Sequence, residues 1–354
     1  MSSPTSDSII GCLLGTAVGD AMGLPYEGLS KRRQRLMYPT LNRHNFFFGR
    51  GMVSDDTEHT CMVAQALIVS SGNVQRFQKD LAWRLRLWLI SLPVGVGYAT
   101  LRAILKLWLG FRPDRSGVFS AGNGPAMRSA ILGVCYGNDP EKLPELVRAS
   151  TRVTHIDPRA QFGALAVAIA SHLSSSQSNI SPQNYYETLQ TFLGTEATEF
   201  LKLIKHSCDS VNVQQTTESF AATLGLEKGI SGYVYHTVPV VIHCWLSHQQ
   251  DYPRAILAIV NCGGDTDTTA AILGGIIGAS VGEKGIPKLW LQGLWEWPRN
   301  VKWIKLVGKK LANVVEGEVC NLSLSVPIFG IFFRNLLFIT VVIVYGFRRL
   351  LPPY

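Results

Sequence analysis

The sequence predicts an all-α protein, with one helical domain over residues 5–315 and a hydrophobic tail over 319–354. Three observations carry this. Apolar residues recur three to four positions apart along most of the chain, alternating strand patterns and hairpin signals are scarce, and no break resembles a long interdomain linker. With 354 residues, 47% hydrophobic and 16% charged, the chain buries a large core and is not of the disordered class.

The helical stripes run in order. Ile9, Leu13, Ala17 and Ala21 form the first, within a segment whose glycines, Gly11 to Gly23, fall at four-residue spacing. Such a stripe allows close helix packing, and Asp20 and its short length argue against a membrane span. Met62, Ala66 and Val69 continue from Ser54-Asp55-Asp56. Leu146, Ala149 and Val153 form another stripe, and Phe162, Leu165, Ala166 and Ile169 the next. Ala255, Ile256, Ile259 and Val260 lead up to Asp265, and Ala270, Ile272, Leu273, Ile276 and Ile277 follow it. Loops are read at 39–51, 111–124 and 173–182 from their Gly, Pro and Ser content.

The net charge of +8 is uneven. Residues 31–50 hold six Lys/Arg and no acid, 76–115 hold eight basic residues against two acidic, and 284–354 hold ten against three. Solvated helix faces account for such runs, and so does attraction to an anionic partner. No RNP or zinc-finger pattern points to a specific nucleic-acid partner. The seven cysteines include no CxxC pair, which argues against a disulfide framework or a thiolate zinc site and fits a reducing, cytoplasmic compartment. The segment Met1–Ser8 lacks a basic n-region, so no secretory signal is read there.

From Val319 to Phe347 the tail carries a single charge, Arg334, with Arg348 and Arg349 beyond it. A spanning helix needs about 20 apolar residues, and any such window includes Arg334. Three readings stay open: a membrane anchor, a helix lying in the interface, and a helix packed on the domain. Membrane contact is thus expected of 319–349 on two of them, so the cytoplasmic expectation includes membrane association.

Two acidic clusters carry the chemistry. Ser54-Asp55-Asp56-Thr57 stands before a helical stripe, where Ser54 is a natural N-cap and the aspartates favour the helix dipole. Gly263-Gly264-Asp265-Thr266-Asp267-Thr268 is denser in carboxylates and hydroxyls than a cap requires. Such oxygens suit a hard cation, Mg²⁺ or Mn²⁺, and two clusters suggest two ions. Glu27 follows the end of the first helix.

Five blocks in order resemble the ADP-ribosylglycohydrolases, including those that activate dinitrogenase reductase. They are Gly11–Gly23 with Glu27, Ser54-Asp55-Asp56-Thr57, Gly122-Asn123-Gly124-Pro125-Ala126-Met127-Arg128, Thr154-His155-Ile156-Asp157-Pro158-Arg159-Ala160 and Gly263–Thr268. Ser231-Gly232-Tyr233-Val234 adds a sixth, weaker one. The resemblance implies an all-α fold around a binuclear magnesium centre, with Ser54, Asp55, Asp56, Asp265, Asp267 and Thr268 as ligands. It implies that Glu27 lies beside the ions, that Gly122, Asn123 and Gly124 approach the diphosphate of ADP-ribose, and that His155 faces the ligand. It implies cleavage of a glycosidic bond at C1″ in an ADP-ribosylated protein or an ADP-ribose-containing small molecule, with Glu27, Asp55 and Asp56 as the bases. A catalytically silent ADP-ribose-binding module and a metal hydrolase of another nucleotide-like substrate are the alternatives. Residues 76–115, with Trp83, Trp88 and Trp108, are expected near the Gly122 loop, and Phe46-Phe47-Phe48 at the cleft entrance.

Overall fold

The computed structural model describes residues 5–318 and 322–352; the start of the tail, with Cys320, lies outside them. Eighteen α-helices and no sheet occur among the described residues, with four isolated β-bridges between loops. They are α1 (Ser6–Gly23), α2 (Lys31–Met37), α3 (Asp55–Ser70), α4 (Val74–Ile90), α5 (Tyr98–Trp108), α6 (Gly124–Met127), α7 (Ala130–Tyr136), α8 (Lys142–Arg152) and α9 (Pro158–Ser176). The second half holds α10 (Pro182–Phe192), α11 (Thr198–Asn212), α12 (Thr217–Thr223), α13 (Val234–Ser247), α14 (Tyr252–Asn261), α15 (Thr266–Gly285), α16 (Lys288–Gly293), α17 (Val301–Val315) and α18 (Ile328–Arg349).

Many helices start where a side-chain oxygen accepts an orphan backbone N–H, which is why Ser, Asn, Asp and Thr precede them. Ser54 accepts from Asp56 N, Asn73 from Arg76 N, Asp157 from Arg159 N and Asn300 from Trp303 N. Asp157 therefore caps α9 directly before Pro158.

The centre is the pair α1 and α15, ringed by α3, α7, α9, α13, α14 and α17. The glycine stripe sets this pair. A Cβ added at Gly11, Gly15, Gly19 or Gly23 would fall well inside contact distance of the carbonyl oxygens of Gly278, Gly274, Ala270 and Thr266. The two helices therefore touch backbone to backbone. Their polar ends lie together, so the chain leaving α1 and the chain entering α15 meet at one place.

The described part of the tail forms a helix with one face packed on the domain. Arg334, a costly residue for a membrane span, turns inward: Nη2 donates to Glu296 Oε1 at 2.5 Å and to Val53 O at 2.5 Å. Asn335 Nδ2 donates to Ser91 O at 2.7 Å. Phe338 and Val341 close a small apolar cluster with Leu24, Phe46 and Met52.

Phe46-Phe47-Phe48 does not line the cleft, contrary to expectation. Phe46 packs on Phe338 and Tyr345, Phe47 stacks on Trp295, and Phe48 is 92% exposed. Within 76–115, Val94, Tyr98, Thr100 and Arg102 do stand beside the Gly122 loop, as expected, but the tryptophans do not. Trp88 is buried and donates to Glu58, while Trp83 and Trp108 are exposed on the surface. Burying the indole ring of Trp88 under α3 gives more apolar contact than a cleft edge would.

Candidate active site

A cleft of about 830 Å³ opens where α1, α3 and α15 converge. Glu27, Ser54, Asp55, Asp265, Asp267 and Thr268 line it on one side, and Gly122, Asn123, Gly124 and His155 on another. Of the eleven sequence-predicted site residues ten line the cleft, and Asp56 alone sits behind the lining, 1% exposed.

The two acidic clusters meet. Thr268 Oγ1 donates to Asp56 Oδ2 at 3.2 Å, and Ser54 Oγ donates to the same oxygen at 3.0 Å. The remaining oxygens Asp56 Oδ1 and Asp267 Oδ1 are buried with no hydrogen-bond partner. Unpartnered buried carboxylate oxygens are costly. Asp265 Oδ2 accepts from Asn123 Nδ2 at 2.7 Å, which ties the second acidic cluster to the glycine loop. Among the described residues no three His, Cys, Asp or Glu side chains stand together in a ligating arrangement. The carboxylates instead take hydrogen bonds from Ser54, Thr268 and Asn123.

Backbone geometry explains the glycines. Gly263 and Gly264 have φ of +70° and +86°, where L side chains are strained. A Cβ at Gly264 would also collide with the backbone of Ile230. The turn is stitched in place by Asp265 N to Ile230 O at 2.8 Å and Gly28 N to Gly264 O at 3.0 Å, which brings the loop after Glu27 to the entry of α15.

The acids raise one another. Burial, then Asp55 and Asp20, holds the Asp56 carboxyl well above the usual range. Burial, then Asp20 and Glu58, does so for Asp55, and burial, then Glu27 and Asp265, for Asp267. Glu27 is raised by loss of water and by Asp265, against the nearby Arg349. Concentrated uncompensated negative charge of this kind marks functional sites.

Asp20 completes the acidic set and was not among the predicted site residues. Its carboxylate accepts from Ser54 N at 2.9 Å, Thr57 N at 3.1 Å and Thr57 Oγ1 at 2.5 Å. It thus fixes the start of α3 from α1. Its signal was an acid in the last turn of an apolar, glycine-striped helix.

On the other wall, Arg128 is fully buried and donates to Ser150 O at 2.8 Å and Thr154 Oγ1 at 2.7 Å. Thr154 Oγ1 in turn lies 2.9 Å from His155 Nδ1. Burial, and then Arg128, pushes the His155 imidazole down to about 3, so the ring is neutral. A Cβ at Gly122 or Gly124 would press on that ring; glycine keeps room there for backbone N–H groups.

Phe338 and Val342 of α18 line the same cleft, beside Leu24 and Val94. Sequence reasoning did not place them there, because nothing local to residues 328–349 points to the acidic clusters.

The protein is all-α with an acidic cleft where helices start, and comparison with known proteins gives its family. The ADP-ribosylglycohydrolase family model matches residues 1–319. The chain is 32% identical over 292 residues to an uncharacterized protein of Archaeoglobus fulgidus, covering 80% of this chain and 90% of that one. It is 27% identical to the ADP-ribosyl-[dinitrogen reductase] glycohydrolase of Rhodospirillum rubrum, with 81% and 90% covered. It is also 27% identical to ADP-ribosylhydrolase ARH3 of Gallus gallus, with 80% and 87% covered. Its fold matches a solved structure titled ADP-ribosylglycohydrolase-related protein complex, with a TM-score of 0.62 at 24% identity, over 88% of this chain and 98% of that one. The chain belongs to the ADP-ribosylglycohydrolase family, and it is a glycohydrolase.

Proposed function

We propose that this enzyme is a Mg²⁺-dependent hydrolase that removes ADP-ribose from a modified protein or small molecule by cleaving the glycosidic bond at C1″. The observation that carries the reading is the meeting of Asp56 and Thr268, 212 positions apart in sequence, in one acidic cleft. The names of the R. rubrum and G. gallus relatives support the substrate class. The all-oxygen donor set, with two buried carboxylate oxygens unpartnered, fits hard cations. Ser54, Asp55, Asp56, Asp265, Asp267 and Thr268 would hold two Mg²⁺ ions, or Mn²⁺. When bound, such ions supply charge stabilisation and orientation for sugar hydroxyls.

The chain's own residues divide the remaining work. Backbone N–H groups of Gly122 and Gly124 face the diphosphate, and neutral His155 packs beside it without adding charge. Asn123 holds Asp265 at 2.7 Å. Glu27 and Asp55 face the cleft and are the groups placed to take a proton from the attacking water; its oxygen bonds to C1″ as the leaving group departs and is protonated. Asp56, closed behind Ser54 and Thr268, serves as a ligand and a positioning group more naturally than as the base. Residues 5–315 form the catalytic unit in this reading and 319–354 an appended tail. The six described cysteines are free and buried, which supports a reducing, cytoplasmic setting.

A panel of ADP-ribosylated arginine and serine peptides, modified nucleic-acid bases and ADP-ribose derivatives, assayed with Mg²⁺ and with EDTA, identifies the linkage. Asp267→Ala should lose both divalent-ion binding by calorimetry and about a hundredfold to a thousandfold in ADP-ribose release, on the scale of removing preorganised charge stabilisation. Retained turnover in that variant would sink the assignment.

A further inference from the structure

We infer that the outer face of α18, with the loops beside it, docks on an anionic lipid surface, the helix lying in the interface while its inner face stays on the domain. α18 lies outside the family match, which ends at residue 319. Its inward stripe, Arg334, Asn335, Phe338 and Val341, is buried. Its outward stripe is almost wholly apolar: Phe329 is 80% exposed and Phe347 67%, with Phe333, Ile343 and Val344 between them. Trp295 and Trp297 extend the patch, and a nearly all-apolar trough of about 320 Å³ runs between them and Phe333 and Leu337. Contiguous exposed apolar surface of this kind marks an interaction site, and tryptophans at its edge suit the headgroup region.

Charge selects the partner. Segments 31–50 and 328–352 contain no acid. They are joined by Phe46 against Phe338 and by Tyr345 Oη donating to Asn45 O at 2.5 Å. Arg32, Arg43, Arg50 and Arg348 are exposed around this junction; Lys31 and Arg35 turn away to Glu218. An apolar helix face beside exposed arginines, on two segments that contain no acid, is complementary to anionic headgroups.

The inner face excludes a crossing helix. A span would strip Arg334 from Glu296 and Val53, and Asn335 from Ser91, and would carry the guanidinium into the bilayer.

Flotation of the full-length protein with vesicles tests this. Vesicles of phosphatidylcholine with 30% phosphatidylglycerol should carry the protein upward, and phosphatidylcholine alone should carry about tenfold less or lower, on the usual contribution of interfacial arginines. Phe329→Ser with Phe347→Ser should abolish flotation while leaving the melting temperature unchanged, since both rings are exposed. Arg43→Glu with Arg348→Glu should remove the preference for anionic vesicles, again by about tenfold or more. Three results overturn the proposal: no flotation with either vesicle, equal flotation that resists carbonate extraction (a spanning helix), or a stable dimer that the serine pair disperses (a second copy on the same face).

Discussion

Ser6–Tyr26 and Phe329–Arg349 are each twenty-one residues long and apolar enough by composition to cross a membrane, yet the first is 94% buried and the second 28%. The difference lies in side-chain size and in what each helix meets. α1 presents glycine and alanine, so α15 approaches to backbone contact and the remaining sides are covered by α3, α7 and α17. α18 presents phenylalanine, leucine and valine on its outer side and meets the domain along one stripe, pinned by Arg334, Asn335 and Tyr345. Hydropathy alone does not distinguish a central core helix from a peripheral one. The spacing of small residues does.

The largest way to break this comparison is Gly15→Leu. A side chain there meets the Gly274 carbonyl at once, and backbone has nowhere to retreat. Overpacking typically costs about 1–3 kcal/mol and sometimes more; here we expect loss of soluble folded protein, read by circular dichroism and yield. A variant that melts like the parent would show that α1 and α15 are not held by their glycines.

Arg334→Ala should come next. It takes from Glu296 its buried cation, leaving the Val53 N–H bond, while Glu58 keeps Arg299. Breaking a buried pair costs about 3–5 kcal/mol. Limited proteolysis should then cut between α17 and α18 well before the core, and unchanged cleavage would count against the pinning role.

Saturating Mg²⁺ is a gentler probe. At a hundredfold excess over Kd, a ligand specific to the folded state stabilises it by about 2.7 kcal/mol. The melting temperature of the parent should rise by several degrees, and that of Asp267→Ala should not move. Equal shifts in both would place the ions elsewhere. The smallest effect belongs to Phe329→Ser, a change on an exposed face expected within about 0.5 kcal/mol of the parent by chemical denaturation.

The sequence made the helical fold readable because each helix carries its own period and usually its own cap, as Ser54 and Asp157 show. It made the acidic clusters readable because their oxygen density exceeds what capping needs. It did not reveal Asp20's role, since the bonds from Ser54 and Thr57 span more than thirty positions. Nor did it reveal where Arg334 points. Its partner Glu296 is thirty-eight positions back in the chain, and a lone charge in an apolar run reads as a penalty until that partner is seen. The fate of Phe46 and Phe47 was lost for the same reason: their cover comes from α18 and Trp295.

The glycine contact between α1 and α15 also governs how the enzyme tolerates change. In an ordinary core, drift at one position is absorbed by neighbouring rotamers, and the elements on either side shift by fractions of an ångström. Between these two helices no side chain is interposed along the stripe, so there is nothing to repack. Asp20 on one helix and Asp267 and Thr268 on the other ride on backbones in direct contact. The spacing of the two halves of the cleft is therefore insulated from sequence variation in the rest of the core.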